Sequence, residues 1–177
     1  MHQACYQAIS GASRLGILNV AVRFHDLLHS DDLNANLIIV GGPDANPVAA
    51  QFYTANVPTF GWPSAGSHVL SLLDSRDGVY YHPKMTDPSG ASTDYAVVIR
   101  GRNPLNPDGE ALLLAGCWGF GTWASARIAF RPDLNLHESV KSGEHFEALV
   151  QVDVRSDSLA DIDLLEVRLL SHDEGTK

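Results

Sequence analysis

At 177 residues the chain has the length of one domain, and its 45% apolar content is enough for a substantial core. Lysine and arginine total 12 against 21 aspartates and glutamates, a formal net charge of −9. That balance excludes non-specific binding to DNA or RNA, which needs a basic footprint, and equally disfavours an anionic membrane surface. It still admits a small phosphorylated ligand, because backbone N–H groups hold phosphate without net positive charge.

The two cysteines, Cys5 and Cys117, are far apart, so neither a disulfide framework nor a paired-cysteine zinc site is expected. The start lacks a basic stretch followed by an apolar run. No segment approaches 18 uninterrupted apolar residues, so no membrane span is expected. The expectation is a cytoplasmic, reducing setting, although a piece cut from a longer protein would read the same way.

The elements follow in chain order. In residues 13–29, Ile17, Val20, Ala21, Phe24, Leu27 and Leu28 recur at helical spacing and predict an amphipathic helix ended by Ser30-Asp31-Asp32. The residues before it, through Gly11, read as a frayed extension or a separate short helix. Residues 36–40 (NLIIV) predict a strand buried on both faces. It runs into Gly41-Gly42-Pro43-Asp44-Ala45-Asn46-Pro47 and then a helix, with Asn46 as N-cap and Pro47 in the first turn.

The stretch 57–93 is rich in Pro, Gly, Ser and Asp. Short strands are expected at His68–Leu73 and Val79–His82, joined by a hairpin turn at Ser75–Gly78. Tyr95–Ile99 predicts another buried strand, and Arg100-Gly101-Arg102-Asn103-Pro104-Leu105-Asn106-Pro107 a loop. Ala111–Ala115 is a third strand, entering Gly116-Cys117-Trp118-Gly119-Phe120-Gly121-Thr122 and a helix over 123–129. At the C-terminus Phe146, Ala148, Val150, Val152 and Val154 alternate with other residues. Ile162–Leu170 follows with Leu165, Val167 and Leu169 on one side, predicting a hairpin with one buried face. Residues 171–177 are polar and are expected to be a disordered tail.

Three segments could carry function. Gly41, Gly42, Asp44 and Asn46 stand at a helix N-terminus, where unpaired N–H groups and the helix dipole favour an anion. Asp44 or Asn46 could reach a ribose hydroxyl or a base edge. The segment does not match G-x-G-x-x-G, and it lacks the Lys-Ser/Thr of a P-loop. Gly119, Gly121 and Thr122 form the second such turn, with Trp118 and Phe120 as stacking surfaces. Arg100, Asn103 and Asn106 form the third, a fork for phosphate or carboxylate. It lies with the others only if strand 95–99 runs parallel to strand 36–40. For each segment the plain alternative is a packed turn.

Cys117 has no base nearby in sequence. His25 and His29, four apart, would share a helix face but lack an accompanying HExxH, so no metal site is read there. The carboxylates Asp153, Asp157, Asp161, Asp163 and Glu166 read as a solvated, protected strand edge. No G-x-S-x-G element is present.

The order GGPDANP, RNPLNP, AGCWGFGTWASA, then a terminal hairpin resembles a group of bacterial Rossmann-like domains with no assigned activity. In that group the motifs are G-G-P-x-x-N, N-P-x-N-P and G-x-G-T-x-A-A. Gly41, Gly42, Pro43 and Asn46 match the first; Asn103, Pro104, Asn106 and Pro107 the second; Gly119, Gly121, Thr122 and Ala124 the third. The resemblance spans residues 36–170 and implies the fold and three cooperating loops, with no catalytic assignment.

The sequence therefore predicts a single α/β domain over 1–177: an N-terminal helical segment at 1–35, a three-layer Rossmann-like core with a mixed sheet and C-terminal β-hairpin at 36–170, and the tail. The expected role is a sensor or regulatory domain for a small phosphorylated, nucleotide-derived ligand, with no catalytic residue, metal or cofactor assigned. A hydrolase for a nucleotide or nucleotide sugar, using a carboxylate in the same cleft, is the enzymatic alternative. A protein–protein interaction module is the third, and homo-oligomers or attachment to other domains are compatible with all three.

Overall fold

The computed structural model describes residues 2–63, 70–85, 92–131 and 143–170. Expectations for the tail at 171–177, and for the start of the strand placed at 68–73, fall outside them.

The first helix, α1 (His2–Arg14), lies earlier than predicted and buries Ala4, Ala8, Gly11 and Ala12. The helix expected over 13–29 does not form. Gly16 adopts φ +82°, and the N–H groups of Gly16 and Ile17 bond the carbonyls of Ser13 and Ala12, each at 3.0 Å. This is the paired bond pattern of a glycine-terminated helix end. The apolar residues beyond it also fit a period of two (Leu18, Val20, Val22, Phe24), and residues 17–24 run without turn or bend. A single 3₁₀ turn (His25–Leu27) and the short α2 (Ser30–Leu33) follow. His25 and His29 thus stand in separate segments, not one turn apart on one helix.

The remaining elements are β1 (Leu37–Val40), α3 (Pro47–Asn56), β2 (Phe60–Gly61), β3 (Leu72–Asp74), β4 (Val79–Tyr81), β5 (Lys84–Met85), β6 (Ser92–Arg102), β7 (Glu110–Gly116), α4 (Gly119–Ala129), β8 (Phe146–Arg155) and β9 (Ser158–Leu169). They make a mixed α/β fold. One mixed sheet has the order β1-β7-β6-β8-β9 with β5 also on β6, and a second, antiparallel sheet has the order β2-β3-β4. Only β1 and β7 are parallel; β6 is antiparallel to β5, β7 and β8. The Rossmann-like three-layer arrangement is not confirmed, and β1 is an edge strand with only Ile39 fully buried.

The period-two rule sorts the strand residues to two faces. Ala96, Val98, Leu114, Ala148, Val150 and Val152 pack with α1 and α4. Val97, Ile99, Leu113, Ala115 and Leu149 pack with Val48, Ala49 and Phe52 of α3 and with Phe60 and Leu72 of the small sheet. The terminal hairpin turns on Ser156 and Asp157, both at positive φ. That conformation suits a two-residue loop between right-twisted strands. Its register shifts between Leu149/Val150 and again between Asp153/Val154. In the first shift Leu149 pairs Glu166 and Val150 pairs Leu164, so Leu165 is the extra residue. Leu164 and Val167 consequently pack on the core, while Leu165 and Leu169, expected beside Val167, are exposed.

Candidate functional site

Because β1 and β7 are parallel neighbours, with Val40 beside Leu114, the turns that follow them emerge at the same end of the sheet. The chain then diverges: α3 packs on one face and α4 on the other. Adjacent parallel strands whose helices leave to opposite faces define a topological switch point, and the crevice beyond it is where open α/β sheets bind ligands.

In the first turn Gly41 adopts φ +102°, and its N–H bonds the carbonyl of Leu114 at 2.9 Å. A side chain there would be strained. Asn46 is the N-cap expected from the sequence: its Oδ1 accepts from the N–H of Val48 at 3.0 Å, and its amide donates to the carbonyl of Val40 at 3.4 Å. Gly42 faces the Trp62 ring, and Asp44 is exposed.

The second turn is held by a residue that sequence reasoning missed. Asp94, 0% exposed, lies on the α4 face of β6. Its carboxylate accepts from the N–H groups of Tyr95 (2.8 Å), Trp118 (3.2 Å) and Gly121 (2.6 Å). It fills the place at the α4 N-terminus that a bound anion would take. Burial raises its pKa to about 6, against the opposing pull of the three N–H donors. The glycines fit around this clasp. A Cβ on Gly116 would collide with the backbone of Thr122, and one on Gly121 with the carbonyl of Tyr95 and with Asp94. Thr122 Oγ1 accepts from the Gly116 N–H and donates to the carbonyl of Trp118. Of the predicted residues here, only Gly119 faces open space.

That space is a groove of about 510 Å³ walled by His2, Gln3, Ala4, Trp118, Gly119, Phe120 and Trp123. The first turn is not part of its wall. The indole N–H of Trp123 is buried and finds no hydrogen-bond acceptor among the described residues. Cys117, next to Trp118, is buried, and burial pushes its thiol up to about 12, so it stays protonated at neutral pH.

The third loop lies elsewhere. β6 runs antiparallel to β7, so Arg100 and Arg102 pair with Leu112 and Glu110 at the opposite end of the sheet. The three loops therefore do not converge. Arg100 bonds Glu110, which also meets His145. Asn103 is buried; its amide donates to the carbonyls of Leu33 (3.0 Å) and Ala35 (2.9 Å), and its Oδ1 accepts from Leu105. Asn106 likewise bonds Asn34 and Asp108. Both asparagines fasten the segment before β1 to the β6–β7 connection. A separate hollow of about 390 Å³ beside Pro104 is lined by Ala50, Gln51, Thr54 and Ala55.

A further polar cluster was missed on the opposite face from Asp94. Glu147, 1% exposed, accepts from the N–H groups of Thr59 and Phe60 and from the Thr59 hydroxyl. Arg168 forks onto Asp74 at 2.6 and 2.9 Å, bonds Glu166 and Thr59, and lies 4.0 Å from the Phe60 ring centre. Arg168 holds the carboxyls of Asp74 and Glu166 below their ordinary values. Glu166, read as part of a solvated strand edge, lies half-exposed on the outer strand β9 and is ion-paired there with Arg168 and Arg76. These groups satisfy one another and clamp the small sheet to β8 and β9. Among the described residues no group of three or more metal-ligating side chains comes together, and no helix is long and apolar enough to cross a membrane. The chain matches no protein-family model, no curated protein and no solved structure.

Proposed function

We propose that the chain is a ligand-binding domain whose ligand sits at the switch point beyond β1 and β7, reaching the groove along the second turn. The observation that carries this reading is the divergence of α3 and α4 from neighbouring parallel strands. Trp118 and Phe120 are suited to stacking on a base or sugar ring. A small phosphorylated, nucleotide-derived molecule fits these features and makes the domain a sensor or regulatory unit. Its phosphate would meet backbone N–H groups of the first turn, because Arg100 lies at the other end of the sheet.

The test is thermal unfolding against mononucleotides, NAD, ADP-ribose, nucleotide sugars and cyclic oligonucleotides. A ligand at about 100 times its dissociation constant adds about 2.7 kcal/mol, which raises the melting point by roughly 5–10 °C. Gly119→Phe projects a ring into the groove from a position with room for it, and should abolish the shift while leaving the apo melting point unchanged. A flat panel at millimolar concentrations refutes the nucleotide reading.

The hydrolytic alternative has one observation in its favour, the pKa of Asp94 near 6. Against it, the carboxylate is sealed under α4 with its oxygens engaged. Incubating any ligand found with the protein and assaying for products separates the two.

A further inference from the structure

The segment between α1 and the 3₁₀ turn is a strand without a sheet. Residues 17–24 run straight, with no turn or bend, and Phe24 has φ −79° and ψ 149°. No backbone–backbone hydrogen bond reaches residues 18–23 among the described residues. Apart from the Val22 carbonyl, which accepts from the Arg23 guanidinium, the backbone polar groups of these six residues have no protein partner among the described residues, in a segment whose side chains are largely apolar. Leu18 is 82% exposed and Phe24 65%, with Val22 at 54%. Within the monomer the segment is anchored only by Val20, which packs against the core, and by the Arg23–Asp32 ion pair, and its other apolar side chains stand in water.

The pattern names its partner. Leu18-Asn19-Val20-Ala21-Val22-Arg23-Phe24 reads the same way in both directions about Ala21: large apolar, polar, Val, Ala, Val, polar, large apolar. We propose that this segment pairs antiparallel with the same segment of a second copy, on a two-fold axis at Ala21. Leu18 then stands opposite Phe24 and Val20 opposite Val22, the self-complementary contact that a two-fold dimer requires. Pairing supplies the missing ladder bonds and brings the apolar side chains together across the strands. Leu18, Val22 and Phe24, on one face of the extended segment, are the exposed apolar side chains that this pairing would cover.

The experiment is sedimentation and light scattering from low micromolar to several hundred micromolar. Wild type should reach twice its 19.1 kDa mass, and Val22→Asp should remain a monomer with an unchanged melting point. Leu165→Asp, on the exposed side of β9, should still dimerise. Should Val22→Asp fail to fold, Ala21→Cys in a Cys5→Ser background decides. Directly opposed residues in antiparallel strands have Cα atoms about 4.5–5.5 Å apart, within disulfide reach, so mild oxidation should give a covalent dimer. A wild type that stays monomeric throughout overturns the proposal. So does a dimer that survives Val22→Asp without cross-linking, or one that Leu165→Asp dissociates.

Discussion

Asp94 shows how one side chain sets conditions for a whole turn. Its oxygens gather three N–H groups from two elements, yet burial still raises its pKa to about 6. An unfolded aspartate titrates near 3.9. Between about pH 4 and 6 the folded protein therefore holds the extra proton, and stability falls as pH rises through that window. Asp74 and Glu166 act in the opposite sense: Arg168 lowers both, so their contribution is present above their unfolded pKa values and is lost as pH falls through the lowered ones. Chemical unfolding of wild type and Asp94→Asn across pH 3–7 separates the two. The variant should lose about 1–3 kcal/mol at pH 7 through a missing acceptor, and should lack the decline between pH 4 and 6. A variant that keeps that decline would assign it to another group. Nothing in the sequence marks Asp94, a single carboxylate ahead of an apolar run. Two of its three partners lie 24 and 27 residues away and are found only through the β6–β7 pairing. Asn46, by contrast, was legible because its partner, Val48, is two residues on.

Elements were legible where their signals are local. The Asn46-Pro47 start of α3 and the 75–78 turn follow from short-range rules and appear as read, whereas β8, read as having one buried face, buries Glu147 and Leu149 on its other face as well because the small sheet covers it. The N-terminal helix was misplaced because 17–28 satisfies two periods at once, and the deciding residue was Gly16, a stop signal standing inside the predicted helix. The β9 face was misassigned because a bulge changes parity midway, and bulges leave no trace in an alternating pattern. The clasp on that hairpin makes a sharp prediction. Arg168→Met leaves Asp74 buried without its partner and should cost about 3–5 kcal/mol in urea unfolding. Adding Asp74→Asn should restore part of it. A loss below 1 kcal/mol would mean that water reaches the site and screens the charge.

For the whole molecule, direction was the illegible quantity. Three apolar strands each followed by a loop suggest parallel order, and nothing local reveals that the middle one runs backward. That single reversal moves Arg100, Asn103 and Asn106 away from the two glycine turns and leaves the switch point to β1 and β7 alone. The small sheet adds a consequence of another kind. Among the described residues β2, β3 and β4 share no backbone ladder with the main sheet; they are held by the core beneath them and by the Arg168–Asp74 and Glu147–Thr59 contacts. Elements joined by side chains alone can detach without disturbing the ladders around them. In native-state hydrogen exchange, the amides of β3 and β4 should open together at one free energy, below that of β6 and β8, and Arg168→Met should lower that value further. Exchange of β3 at the same free energy as β6 would make the molecule a single cooperative unit. The predicted order instead makes the small sheet a hinged cover over Phe52 and Leu149, with Phe60 and Leu72 on its inner side, the first part of the interior that a protease or a chaperone would meet.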